Sequence, residues 1–139
     1  MKLLSFQAKR FRWKTHSKTL PEVSDQEGEG AVEETAVVFV HAEASDAAEN
    51  RSAAVLRQFL RHIKWLANKR SLKTIVLHSF THLGGETSPP AFAESFLNTA
   101  AERLRENGYT VWTTPFGYSC EWDLSVYGES LAKVWKEIH

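Results

Sequence analysis

The sequence predicts an α/β fold with a mixed β-sheet and packed helices. Buried-type apolar runs from Ala36 to Val40 and from Thr74 to Leu77 read as inner strands. Each precedes a stretch whose apolar residues recur at helical spacing. Shorter apolar or alternating runs near both ends of the chain supply further strands, in the order strand, strand, strand, helix, strand, helix, strand, strand, helix.

In detail, Lys2 to Ala8 and Phe11 to Thr15 read as two strands of a hairpin turning at Lys9-Arg10. In the second, Phe11 and Trp13 alternate with Arg12 and Lys14, as on a half-buried strand. Lys9, Arg10, Arg12, Lys14, His16 and Lys18 make this end basic, either as a phosphate-facing edge or as a solvated strand face. Leu20 to Glu34 is acidic and carries no apolar periodicity, which predicts a loop or irregular hairpin end able to neutralise the basic strand. After the strand ending at His41, Asp46-x-x-Glu49 resembles a capping box. A helix then runs to about Arg70, with Leu56, Phe59, Leu60, Ile63, Leu66 and Ala67 on one face. Ala93, Phe96, Leu97, Ala100 and Leu104 mark a second helix, begun at Ser88-Pro89-Pro90 and ended at Asn107-Gly108. Tyr109 to Thr113 is a strand, and Cys120, Trp122, Leu124 and Val126 alternate with polar residues in another. Leu131, Val134, Trp135 and Ile138 predict a closing amphipathic helix.

With 139 residues and no internal repeat or linker, the chain reads as one domain over 1–139. Seventeen basic residues balance seventeen acidic ones, so affinity for nucleic acid would have to come from local patches. A single cysteine excludes an intramolecular disulfide and a cysteine-rich zinc site. No apolar run reaches membrane-spanning length, and the expectation is a soluble cytoplasmic protein with no membrane partner.

Chemistry concentrates between Thr74 and Pro90, where a buried strand opens into His78-Ser79-Phe80-Thr81-His82, loosens at Gly84-Gly85 and restarts as a helix. His78, His82 and Glu86 have the spacing of a helical metal triad, but the strand and the glycine pair argue against a helix there. On a strand the two histidines would stand roughly 13 Å apart, so neither a metal nor any other cofactor is expected. His82, beside a helix start able to hold an oxyanion, is the leading candidate for a functional group. Cys120 reads either as a nucleophile or as a small core residue. No G-x-S-x-G, P-loop or dinucleotide fingerprint is present.

Phe80-Thr81-His82-Leu83, after a buried strand and before a proline-started helix, resembles the FAHL-type motif of the archaeal threonyl-tRNA synthetase editing domain. Pro115-Phe116-Gly117-Tyr118 resembles that domain's PFGY-type motif, and the opening "MKLLSF", the run "EETAVVFVHAE" and the closing "GESLAKVWKEI" follow the same order. The resemblance implies a D-aminoacyl-tRNA deacylase-like fold, a homodimer, and hydrolysis of serine wrongly esterified to threonine tRNA. Serine and threonine differ by one methyl, too little for rejection by binding alone, so a second site that admits only the smaller product is needed. By this resemblance His82 and the backbone around Phe80 and Thr81 hold the tRNA 3′ end and the seryl group, with Phe116, Gly117 and Tyr118 in the opposite wall. Family members continue with an aromatic residue and a lysine that positions water or substrate; Ser119 and Cys120 stand there in this chain. The family's acidic residue in the last helix, which contacts the substrate's amino group, is matched by Lys133. Lys133 and Glu121 then form a candidate relocated charge pair, with Lys133 reaching the pocket mouth from the final helix. The sequence has none of the parts needed to make or ligate threonyl-adenylate, and reads as a freestanding relative of the editing domain. A non-catalytic module binding RNA or a small ligand on the same scaffold is the alternative.

Overall fold

The computed structural model describes residues 1–139. Its strands are β1 (Lys2–Lys18), β2 (Glu29–His41), β3 (Thr74–Ser79), β4 (Thr110–Thr113), β5 (Tyr118–Val126) and β6 (Lys133–Glu137). Helix α1 (Ser52–Asn68) joins β2 to β3, and α2 (Pro90–Glu106) joins β3 to β4. The sheet runs β4-β3-β2-β1-β5, with β6 also on β1. β2, β3 and β4 are parallel, each successive pair joined by the helical crossover that parallel neighbours need, and β1 is antiparallel to β2, β5 and β6. The mixed-sheet α/β expectation therefore holds. No helix is long and apolar enough to cross a membrane.

The expected hairpin at Lys9-Arg10 is instead one continuous strand. Against β5 the register of β1 slips at Lys9 and again at His16, the signature of β-bulges. On β2, Glu34 stands opposite Lys9 and takes a φ of 48°. The slip changes the side-chain parity, so Leu4, Phe6 and Ala8 before it share a face with Phe11 and Trp13 after it. A broken alternation signals a turn or a bulge equally well, and only the partner strand decides between them.

The closing segment is also corrected. Leu131 to Ile138 has helical spacing but forms β6, whose residues 133–137 pair with residues 2–6 of β1. β5 occupies the same edge of β1 further along, at residues 8–18. Pairing that free edge satisfies backbone groups that a helix would leave exposed, and the sheet has apolar surface on both sides to receive Val134 and Trp135. The capping box is displaced as well: Glu43 and Asp46 form it around a short 3-10 turn, where the sequence pointed to Asp46 and Glu49. Ser88 is not the cap of α2; Pro89 stands there with no side-chain cap, and Pro90 opens the helix.

Both helices lie on one face of the sheet, burying Phe59, Ile63, Leu66, Phe96, Ala100 and Leu104 against Val38, Ile75 and Leu77. The opposite face is built on Phe11, Trp13, Val37, Phe39 and Val76 and has no helix over it. Trp112, paired opposite Val76, Trp122, paired opposite Trp13, and Trp135, paired opposite Leu4, stand on that open face at 48%, 37% and 49% exposure.

Candidate functional site

The three parallel strands end together, at His41, Ser79 and Thr113, and the crevice beyond their C-terminal ends is where such sheets place a site. The loop from Phe80 to Pro89 is fastened to the end of β2 and the segment after it. The Phe80 N–H donates to Val40 O (2.9 Å), Ser88 N–H to Ala42 O (2.9 Å) and Ala44 N–H to Glu86 O (3.3 Å). His41, buried below the loop, accepts the Leu83 N–H at Nδ1 (3.1 Å). That leaves its proton on Nε2, which donates to Thr87 Oγ1 (3.3 Å). Burial pushes His41 below its ordinary pKa, consistent with this neutral form. Gly85 turns at a φ of 83°, and a Cβ there would stand 2.7 Å from Glu43 Oε2.

The opposing wall is the turn after β4. Gly117 turns at a φ of 82°, its carbonyl accepts the Thr19 N–H (2.7 Å), and a Cβ would meet Val23 at 2.7 Å. The Tyr118 hydroxyl donates to Ser24 O (2.6 Å) and accepts the Gln26 N–H (2.8 Å). The acidic loop between β1 and β2 is thereby strapped across the turn, bringing Thr19 and Leu20 to the pocket rim.

Between these walls lies a cavity of about 350 Å³. His78 to His82 form one side, Thr87, Ser88, Pro90 and Ala93 the helix side, and Pro115 to Cys120 with Trp122 the other. An aromatic cluster in edge-to-face and tilted contact forms part of its wall: Phe80 lies 5.1 Å from His82, 5.5 Å from Trp122 and, behind the wall, 5.3 Å from Phe39, centroid to centroid. His82 is exposed at the outer end of that cluster, and His78 is buried at the inner end.

Of the residues expected to form a site, Phe80, Thr81, His82, Phe116, Gly117, Tyr118, Ser119 and Cys120 all line this cavity. Two do not. Glu121 follows Cys120 on β5 and points away; its carboxylate is 3.4 Å from Arg12, which also holds Asp123 at 2.6 Å. Lys133 lies on β6 opposite Phe6, exposed, with its ammonium donating to Gly128 O at 3.1 Å. The helix meant to carry Lys133 to the pocket does not exist, and the pair with Glu121 is not formed. No carboxylate, ammonium or guanidinium lines the cavity. Cys120 is half-buried in the wall and burial raises its thiol pKa, so it is a protonated thiol at neutral pH and not an activated nucleophile.

Sequence reasoning passed over several wall residues. Trp122 was recoverable, since strand alternation places it on the face of Cys120. His78 and Ser88 stood in the right stretch without an assigned role there, whereas Thr19 and Leu20 reach the pocket through a loop closure that leaves no local pattern. Two residues of the basic strand are paired, Arg12 with Asp123 and Glu121 and Lys18 with Asp25 of the acidic loop.

Known proteins resemble the chain along its whole length. The family described as the Archaea-specific editing domain of threonyl-tRNA synthetase matches residues 1–138. The chain is 31% identical over 140 residues to the threonine–tRNA ligase of Hyperthermus butylicus, covering 96% of this chain and 22% of that protein. It is 30% identical over 141 residues to the ligase of Thermococcus onnurineus, covering 99% and 22%. The chain thus spans about a fifth of the length of these curated relatives. Among solved structures, the c-Myc DNA Unwinding Element Binding Protein superposes with a TM-score of 0.70 over 100% of this chain and 99% of its own, at 16% identity. That likeness is one of fold alone.

Proposed function

Because the chain belongs to the family of the Archaea-specific editing domain of threonyl-tRNA synthetase, we propose that it hydrolyses mischarged aminoacyl-tRNA of the seryl-tRNA(Thr) type. The observation that carries this reading is geometric. The Phe80–His82 loop and the Phe116–Cys120 turn, far apart in sequence, face each other across one cavity at the C-terminal ends of β3 and β4. A space of about 350 Å³ suits an aminoacyl group with part of its terminal adenosine. The exposed His82 stands at the mouth, where it holds the 3′ end and orients the attacking water. Phe80 and Trp122 offer ring faces to the base. Water adds to the ester carbonyl, the tRNA 3′ oxygen leaves and takes up a proton, and free serine is released. A cramped acyl end would exclude threonine by its extra methyl, leaving the correct product intact.

The reading extends to setting and assembly. The protein acts in the cytoplasm as a relative of the editing domain, in translation proofreading, with the aminoacylated tRNA 3′ end as its partner. It does so as a homodimer, for which the open sheet face with its exposed tryptophans is the candidate contact. One observation favours a second reading, a non-catalytic binding module. The cavity has neither a carboxylate for the substrate's α-ammonium nor a cation for the ester oxygen. Incubation with seryl-tRNA(Thr), threonyl-tRNA(Thr) and D-aminoacyl-tRNA decides between them. Selective loss of the seryl ester is the expected result, and hydrolysis of none of the three leaves the binding module.

A further inference from the structure

One group in the pocket has no place in the scheme so far. His78, at the end of β3, is 3% exposed and held edge-on between the rings of Phe39 (5.1 Å) and Trp122 (5.4 Å). Its Nδ1 lies 2.7 Å from the hydroxyl of Thr114, the residue just beyond β4. Nε2 has no partner in the protein. Arg51 Nε is the one fully buried side-chain polar atom without a partner, so Nε2 of His78 is reached by solvent, and it is the cavity that His78 lines.

The proton can be placed as well. Thr114 is buried, and its hydroxyl has no other side-chain or backbone partner. Were Nδ1–H the donor, the hydroxyl would have no acceptor within the protein for its own proton, whereas as donor to Nδ1 it is satisfied. The hydroxyl therefore donates to Nδ1, and the ring carries its proton on Nε2. Burial holds the pKa of His78 down at about 4, so the ring is neutral at physiological pH. Of the hydroxyls that line the cavity, those of Ser88, Tyr118 and Ser119 are committed elsewhere, donating to the carbonyls of Pro89, Ser24 and Ser17.

We infer that His78 is the oxygen-binding donor of this pocket, its Nε2–H directed at the acyl carbonyl of the bound ester. The inference rests on reading the cavity as an acyl-ester site, and it names the group that does the work of the absent cation. As water adds to the carbonyl carbon, the π pair moves onto oxygen. The Nε2–H bond to that oxygen strengthens without the proton being transferred, as suits an oxyanion donor. Collapse returns the pair, breaks the bond to the 3′ oxygen, and that oxygen leaves with a proton relayed from the attacking water through solvent at the His82 mouth. Thr114 is a positioning residue, acting through the tautomer it imposes.

Nitrogen-15 NMR on the intact protein tests this without any turnover. The expected spectrum at pH 7 shows His78 neutral with the proton on Nε2. Addition of the non-hydrolysable amide analogue of 3′-seryl adenosine is expected to shift that Nε2 resonance. A ring protonated on Nδ1, a doubly protonated ring, an unmoved Nε2 resonance, or an analogue that does not bind each overturns the inference. In deacylation assays His78→Phe is expected to lower kcat by roughly 10²-fold with KM little changed, and His78→Gln, which keeps an N–H, to recover part of it. Thr114→Val, with the ring intact, is expected to give mixed tautomers and a several-fold fall in kcat; a single unchanged tautomer overturns its positioning role. If the analogue binds and shifts Nε2 while no ester is cleaved, the deacylase reading fails and the donor stands. If esters are cleaved and His78→Phe cleaves them equally well, the donor fails and the deacylase stands.

Discussion

At the scale of single residues, burial sets the protonation of His78 and Cys120 in the wall, while His82 stands in the open. His82 is the outermost member of the aromatic cluster and stands exposed at the mouth. Under the proposed reaction, His82→Ala lowers kcat/KM for seryl-tRNA(Thr) by roughly 10²-fold, the low end of what a positioned acid–base group contributes. Cys120 is different in kind. Its thiol is raised by burial, so Cys120→Ala is expected to change kcat/KM by less than about threefold, and alkylation at pH 7 to be slow. Rapid alkylation with loss of activity would restore the nucleophile reading. Lys133→Ala, on a strand remote from the cavity, is expected to leave kcat/KM unchanged, because its ammonium meets only Gly128 O.

At the scale of elements, the loop that carries His82 depends on a cluster below it. The Met1 ammonium is buried between Glu43 Oε1 (2.7 Å), Asp46 (3.1 Å) and Ile138 O (3.0 Å). Asp46 is fully buried and also accepts the Glu43 N–H at 2.7 Å. The same segment supplies His41, Ala42 and Ala44 to the loop above. Removing one partner of a buried ion pair strands the other, so Asp46→Ala is expected to cost about 3–5 kcal/mol in a denaturant titration. Amide hydrogen exchange is expected to rise at Leu83 and Ser88 in the same variant. An unchanged midpoint would mean that the ammonium finds solvent without consequence.

At the scale of the whole molecule, buried imidazoles link stability to pH. His62, bonded to Ser5 Oγ at 3.1 Å, and His78 are each held at about 4 by burial, against 6.5 for the free side chain. The unfolded chain therefore binds more protons between these values, and stability is complete above about pH 6.5 and falls as the pH drops toward 4. Each group contributes at most about 3 kcal/mol, so Tm is expected to fall by on the order of 10 °C between pH 7 and pH 5. His62→Gln should flatten that slope in calorimetry. The open sheet face makes a separate demand: light scattering is expected to give a dimer at micromolar concentration, and Trp135→Lys or Trp112→Glu a monomer. A monomeric parent would remove the proposed dimer.

The sequence by itself determined whatever depends on near neighbours. The parallel strands and the helices between them are written in apolar periods, and the two motif segments are legible because each is short and contiguous. Gly108 ends α2 at a φ of 94°, where the Asn107-Gly108 pair placed it. Tertiary structure alone decided what depends on distant partners. Lys9 became a bulge because β5 runs past it, and residues 133–137 became a strand because β1 had an open edge. With the closing helix gone, Lys133 fell outside the cavity, strand alternation turned Glu121 away from it, and His78, 36 positions from Thr114, came within hydrogen-bonding distance of that residue behind the cavity wall. Periodicity records which face of an element is apolar. It carries no record of which remote strand will pair with it, and in this chain that pairing selects the groups that meet the ligand.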